Sequence, residues 1–187
     1  MTRVAGIDCG TNSIRLLVAD VDLEAGTLTD LDRRMEVVRL GQGVDRTGRI
    51  APEALERTLD ASRRYAQRCE ELGVEHVRFV ATSASRDAEN RQDFVDGVVG
   101  ALGVAPEVIS GHEEAELSFR GATGVLAGKH PGPFLVVDLG GGSTELVLGT
   151  TSVVAEHSMA VGCVRRTERH LAGDPHTPEE IAAAGAD

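Results

Sequence analysis

Residues 134–149, FLVVDLGGGSTELVLG, decide how this chain folds. An apolar run leads into an aspartate, three consecutive glycines, a serine, a threonine and a glutamate, and a second apolar run follows. Short apolar runs bounded by turn residues read as buried strands, and two of them around a glycine loop read as a hairpin. The glycines lead into strand-type residues and not into a helix, which excludes a dinucleotide-binding fingerprint. The GxxxxGK[ST] pattern is missing, which excludes a Walker A loop.

The pattern occurs a second time, 130 positions earlier. GIDCGTNSIRLLV set against VVDLGGGSTELVL pairs Asp8 with Asp138, Gly10 with Gly140, Ser13 with Ser143 and Arg15 with Glu145. Glycine lets backbone N–H groups converge and lets an oxyanion approach without meeting a Cβ. The hydroxyls of Thr11, Ser13, Ser143 and Thr144 add donors. Asp8, Asp138 and Glu145 would repel a phosphate unless a divalent cation lay between, and hard carboxylate oxygens suit Mg²⁺. Gly, Ser, Asn and Thr are also ordinary turn residues, so one loop alone decides nothing. Two loops, each with an aspartate before its first glycine, favour a phosphate site.

Around these hairpins strands alternate with helices, the signature of an α/β fold. Strands are predicted at 3–7, 13–20, within 27–40 (with Met35, Val37 and Val38 as its apolar part), at 76–82, 106–110, 134–138, 143–149 and 152–157. GQGVDRTGRI, residues 41–50, reads as a loop. A helix follows over 51–73, with Pro52 near its first position, Leu55, Leu59 and Leu72 on its apolar face and Gly73 as its stop. Further helices are predicted at 90–103 (N-cap Asn90), 111–126, 161–171 and 177–185, the last opened by a capping box of Thr177 and Glu180. The first turn of the 111–126 helix carries Glu113, Glu114 and Glu116, where carboxylates complement the helix dipole.

The 187 residues are 41% hydrophobic and carry a formal charge of −11, which argues against a nucleic-acid or anionic-membrane surface. An anionic ligand must then be held by local devices: backbone amides, a cation, or a few arginines. Lys129 is the only lysine. Cys9, Cys69 and Cys163 form no CxxC pair and read as thiols of a reducing, cytoplasmic compartment. Cys9 reads as an inert, partly buried thiol. The six histidines show no metal-ligand spacing, and RRTER, residues 165–169, reads as an exposed helix face. No signal peptide or membrane-spanning run is present.

The paired hairpin loops resemble those of the superfamily of actin, sugar kinases and heat-shock chaperone ATPases. Its members bind phosphates between two ribonuclease-H-like lobes. ATSASRDAEN (81–90), EVISGHEEAELSFRGA (107–122) and SMAVGCVRRTERHL (158–171), together with DCGTNSIRLLV and VDLGGGSTELV, are similar in kind and order to the exopolyphosphatase/guanosine pentaphosphate phosphatase family.

That resemblance implies a two-lobed fold, with a first lobe over 1–125 and the start of a second over 126–187. It implies Mg²⁺-dependent hydrolysis of terminal phosphates from inorganic polyphosphate, or of the 5′ γ-phosphate of guanosine pentaphosphate. It places Glu114 as the catalytic base and Arg86 against the substrate phosphates. Gly10, Thr11, Asn12 and Ser13 become the first phosphate loop, and Gly140, Gly141, Gly142, Ser143 and Thr144 the second. Asp138 and Glu145 fall around the metal, with Asp8 as a further metal- or water-ordering group. It also implies a homodimer in the full-length form. His112 stands where many members carry Asn, Glu or Gln. The chain stops earlier than members of the family do, so a noncatalytic phosphate- or alarmone-binding fragment stays open as an alternative.

Overall fold

The DCGTNS stretch is the turn of an antiparallel hairpin between β1 (Thr2–Cys9) and β2 (Ser13–Asp22), in register from Thr2 opposite Val21 to Cys9 opposite Ile14. The computed structural model describes residues 1–126 and 129–187. The chain forms two compact units, Met1–Ile109 and Ser110–Asp187.

In the first unit β2 also pairs antiparallel with β3 (Thr27–Val37), while β1 pairs parallel with β4 (His76–Ala81) and β4 with β5 (Glu107–Val108). The sheet order is β3-β2-β1-β4-β5. The strand alternation buries Ala5, Ile7, Cys9, Ile14, Leu16 and Val18 in one core with Tyr65, Phe79, Phe94 and Val98. Helices α2 (Pro52–Leu72) and α4 (Arg91–Leu102) supply the other side of that core. They close tightly because position 97 is glycine: a Cβ there would lie 2.6 Å from Leu59 Cδ1. Two short helices, α1 (Val44–Thr47) and α3 (Ser83–Asp87), sit where the sequence predicts loop and strand end.

Pro52 at the start of α2 and left-handed Gly73 at its end behave as predicted. Asn90 takes the predicted N-cap position of α4, but without a side-chain cap bond. Its Oδ1 instead accepts from Ile50 N at 2.8 Å, because the loop before α2 offers it a second backbone partner. Met35 and Val37 are also more exposed than predicted, at 61% and 56%, since β3 is the sheet edge.

Tyr65 is fully buried, and its hydroxyl donates to Ile14 O at 3.2 Å. Burial pushes the phenol up to about 12, so it remains a donor across the physiological range. A Tyr65→Phe chain is expected to lose about 0.5–1.5 kcal/mol, read from the midpoint of urea unfolding.

The second unit begins with α5 (Gly111–Gly124), capped by Ser110, whose Oγ accepts from Glu113 N at 3.2 Å. Its sheet runs β6 (Phe134–Leu139), β7 (Thr144–Gly149), β8 (Val153–Met159), all antiparallel. Ala115 and Phe119 of α5 pack on Val147, with Phe134, Val136 and Val153 around them. This packing places α5 with the second compact unit, Ser110–Asp187. β6 is covered on one face only: Leu135, Val137 and Leu139 on the other are 64%, 58% and 69% exposed. Helices α6 (Cys163–His170) and α7 (Pro178–Ala186) follow, and α7 opens with the predicted capping box of Thr177 and Glu180.

Candidate functional site

The two glycine loops close in the same way. Gly10 N donates to Ser13 O at 3.0 Å, and Gly140 N donates to Ser143 O at 2.9 Å. Each loop is then backed by a later segment that takes up its carbonyls. Behind the first, Gly41 N donates to Thr11 O, and Val38 N and Arg39 N both donate to Asn12 O. Behind the second, Cys163 N donates to Gly140 O at 3.0 Å, and Val164 N and Arg165 N donate to Gly141 O at 2.9 and 3.1 Å. Arg165 Nε donates to Gly142 O at 2.9 Å.

In a trans peptide the C=O of one residue and the N–H of the next point in opposite directions. With their carbonyls turned to the backing segments, the loops turn the N–H groups of Asn12 and Ser13, and of Gly141, Gly142 and Ser143, the other way. That is a nest of backbone donors for an anion.

Two of the predicted hydroxyl donors have structural partners. Thr11 Oγ1 lies 2.7 Å from Ser83 Oγ, with both residues buried. Thr144 Oγ1 donates to Val161 O at 2.6 Å. Both threonines therefore fasten a loop to its backing.

Asp138 and Glu145 stand directly opposite each other on β6 and β7. Ser118 Oγ donates to Asp138 Oδ2 at 2.6 Å, and Ser158 Oγ donates to Glu145 Oε1 at 2.9 Å. Glu145 is only 1% exposed. The equivalent pair in the first unit is Asp8 opposite Arg15, 3.6 Å apart and open to solvent. An acid–acid pair in the second unit thus corresponds to an acid–base pair in the first.

Glu114 sits in the first turn of α5. Ser118, four residues on, shares its side of the helix and bonds Asp138, so Glu114 faces the sheet that carries the two carboxylates. That first turn is held down twice more. Gly111 lies against Ser158, where a Cβ would come within 3.0 Å of Oγ, and His112 Nδ1 pairs with Glu156 of β8 at 2.5 Å. The Glu156 hydrogen bond first, then its charge, with Glu116 and Glu113 adding theirs, raises the His112 imidazolium above its ordinary 6.5. A raised folded-state value means the pair stabilises fully below 6.5 and is lost as the pH rises through the raised value. His112→Gln is expected to remove that decline from thermal unfolding followed upward from pH 6.5.

Arg86 lies in the last turn of α3 in the first unit, and its Nη1 donates to Ile109 O at 2.8 Å. Asp8, the first loop and Arg86 therefore belong to one unit, and the second loop, Asp138, Glu145 and Glu114 to the other.

The Ppx/GppA phosphatase family pattern matches residues 17–186. The chain belongs to this family. It is 58% identical over 191 aligned residues to "Exopolyphosphatase 2" of Mycobacterium tuberculosis, covering 98% of this chain and 60% of that protein. It is 54% identical to an exopolyphosphatase-like protein of known crystal structure, with a TM-score of 0.94 over 100% of this chain and 58% of the other. A Ppx/GppA member from Aquifex aeolicus shares 35% identity and a TM-score of 0.75, covering 97% and 58%. The chain spans about 60% of the length of the curated relatives it matches. The ethanolamine utilization protein EutJ from Carboxydothermus hydrogenoformans, at 19% identity and a TM-score of 0.51, is alike in fold alone.

The structure adds to the candidate site contacts that the sequence conceals: Ser118 and Ser158 on the carboxylates, Ser83 on Thr11, and Arg165, Gly162 and Gly41 behind the loops. Helical spacing alone could have found Ser118, four residues after Glu114. The others depend on tertiary contact and leave no local signal.

Among the described residues no group of three or more His, Cys, Asp or Glu gathers to hold a metal. The Asp138–Glu145 pair fits a different mode, that of Mg²⁺, which keeps several waters and binds through one or two carboxylates plus substrate phosphates. Cys9 is buried, and burial pushes its thiol far above the usual range, as an inert thiol requires. No helix among the described residues is long and apolar enough to cross a membrane.

Proposed function

We propose that this chain binds the end of inorganic polyphosphate and hydrolyses its terminal phosphoanhydride bond, releasing phosphate. The observation that carries this reading is the backing of both glycine loops, which turns two sets of N–H donors outward. Family membership and identity to an exopolyphosphatase add support.

Hydrolysis needs a water in line with the scissile bond, a group to take its proton, and preorganised donors on the phosphoryl oxygens. Glu114 accepts the proton as the water oxygen bonds to phosphorus and the bridging P–O bond breaks. In the second unit the amides of Gly141, Gly142 and Ser143 hold phosphate oxygens; in the first, the amides of Asn12 and Ser13 do so, with Arg86 to counter phosphate charge. Asp138 and Glu145 are the residues of the second unit that would hold Mg²⁺; in the first unit Asp8 is the metal- or water-ordering candidate. When bound, the ion would neutralise phosphoryl oxygens. Ser118 and Ser158 orient the two carboxylates through the hydrogen bonds they donate. Three free cysteines agree with a cytoplasmic setting.

Phosphate release with Mg²⁺ from long-chain polyphosphate, guanosine pentaphosphate and ATP, run in parallel, tests the proposal. Release from polyphosphate is expected. Release from guanosine pentaphosphate alone would move the substrate to the nucleotide, and release from ATP alone would overturn the reading. Binding without release would make the chain a phosphate-binding module.

A further inference from the structure

We infer that Arg165 is a positioning residue for the second loop, fixing the Gly142–Ser143 peptide so that the Ser143 N–H faces a phosphoryl oxygen. This rests on the reading of that loop as a phosphate site.

The three peptides of the loop are held by different means. The peptides 140–141 and 141–142 are held through their carbonyls by backbone N–H groups at the start of α6: Cys163 N on Gly140 O, and Val164 N and Arg165 N on Gly141 O. Those bonds survive any side-chain change. The third carbonyl, Gly142 O, accepts from a side chain, Arg165 Nε at 2.9 Å. The orientation of Ser143 N–H therefore depends on the identity of residue 165, and that of the other two amides does not.

Two arginines of the charged run are half-buried, Arg165 and Arg166, whereas Arg169 is exposed and pairs with Asp187. Arg166 donates to Ala184 O of α7, and Arg165 donates to the loop. What the loop requires at 165 is a donor at the reach of Nε. Glutamine places an N–H the same number of bonds from the backbone. Methionine matches the length and offers none.

The test uses the ¹⁵N-labelled chain, with wild type, Arg165→Met and Arg165→Gln titrated with tripolyphosphate. In Arg165→Met the ligand-free Ser143 amide resonance is expected to move while those of Gly141 and Gly142 stay. Tripolyphosphate affinity is expected to fall about 3–10-fold, the worth of one net hydrogen bond. Arg165→Gln is expected to restore most of both. An unmoved Ser143 resonance with unchanged affinity in Arg165→Met would overturn the inference, as would a glutamine variant that behaves like methionine. Wild-type amides that ignore tripolyphosphate would overturn the phosphate reading itself. The ligand-free Ser143 resonance would then decide the anchor alone.

Discussion

Replacing Glu114 by glutamine is expected to lower phosphate release from polyphosphate by about 10²–10⁴-fold, the usual worth of a positioned general base, while polyphosphate binding stays within about twofold. The glutamine keeps the length and the hydrogen-bonding outline and loses the ability to accept a proton at neutral pH. The expectation is specific to this residue because of how α5 is set. Ser118 fixes which side of the helix faces the carboxylates, and Glu114 lies on that side one turn earlier. Glu113 is one step around the helix, about 100° away, and its backbone N–H belongs to the Ser110 cap. Glu113→Gln should leave release within about twofold, since surface changes away from such features have small effects. Phosphate-release rates at saturating polyphosphate, with binding measured separately, decide between the two glutamates. Unchanged release in Glu114→Gln, or an equal loss in Glu113→Gln, would remove Glu114 from the chemistry.

Much of the fold was legible in the chain because its signals are local. Pro52 and Gly73 bound α2, and Thr177 and Glu180 open α7, by bonds that span at most a few residues. The hairpins follow from apolar runs around small-residue turns, and the duplicated loop proved to be a duplicated hydrogen-bond closure. The predictions that failed depend on what lies across the structure. Asn90 stands at the predicted N-cap, but its side chain bonds Ile50 N and makes no cap bond. FLVVD reads as a buried strand, yet α5 covers one face of β6 and leaves Leu135 and Val137 open.

The backing of the loops was the least legible part, and it deepens the repeat. Thr11 and Gly141 hold equivalent places in the two loops. A glycine presses on each: Gly41, whose Cβ would lie 2.3 Å from Thr11 Cγ2, and Gly162, whose Cβ would lie 2.4 Å from Gly141 C and O. The two halves of the repeat therefore extend beyond the Asp–Gly–Ser pattern to a pair of glycines that the alignment does not reveal. These lie at unequal distances from their loops along the chain.

Gly162→Ala is expected to cost at least about 10²-fold in phosphate release, the usual loss for one preorganised oxyanion donor. Its φ of −151° is extended backbone that alanine adopts freely, so the cost is contact and not conformational strain. The contact is with backbone: Gly141 C and O at 2.4 Å and Gly142 N at 2.6 Å. No rotamer change relieves it, so the loop must shift away from α6. The bonds from Cys163, Val164 and Arg165 to the loop carbonyls then lengthen together, and all three outward amides lose their set. Gly41→Ala makes the informative comparison. Its clash is with a side-chain methyl, which a rotation of Thr11 relieves at the expense of the bond to Ser83. That substitution should cost less than Gly162→Ala, because the first loop's backbone stays in place. In ¹⁵N spectra Gly162→Ala should displace the Gly141, Gly142 and Ser143 amides together, whereas loss of Arg165 displaces Ser143 alone. Wild-type release and unmoved loop resonances in Gly162→Ala would show that α6 does not shape the second loop.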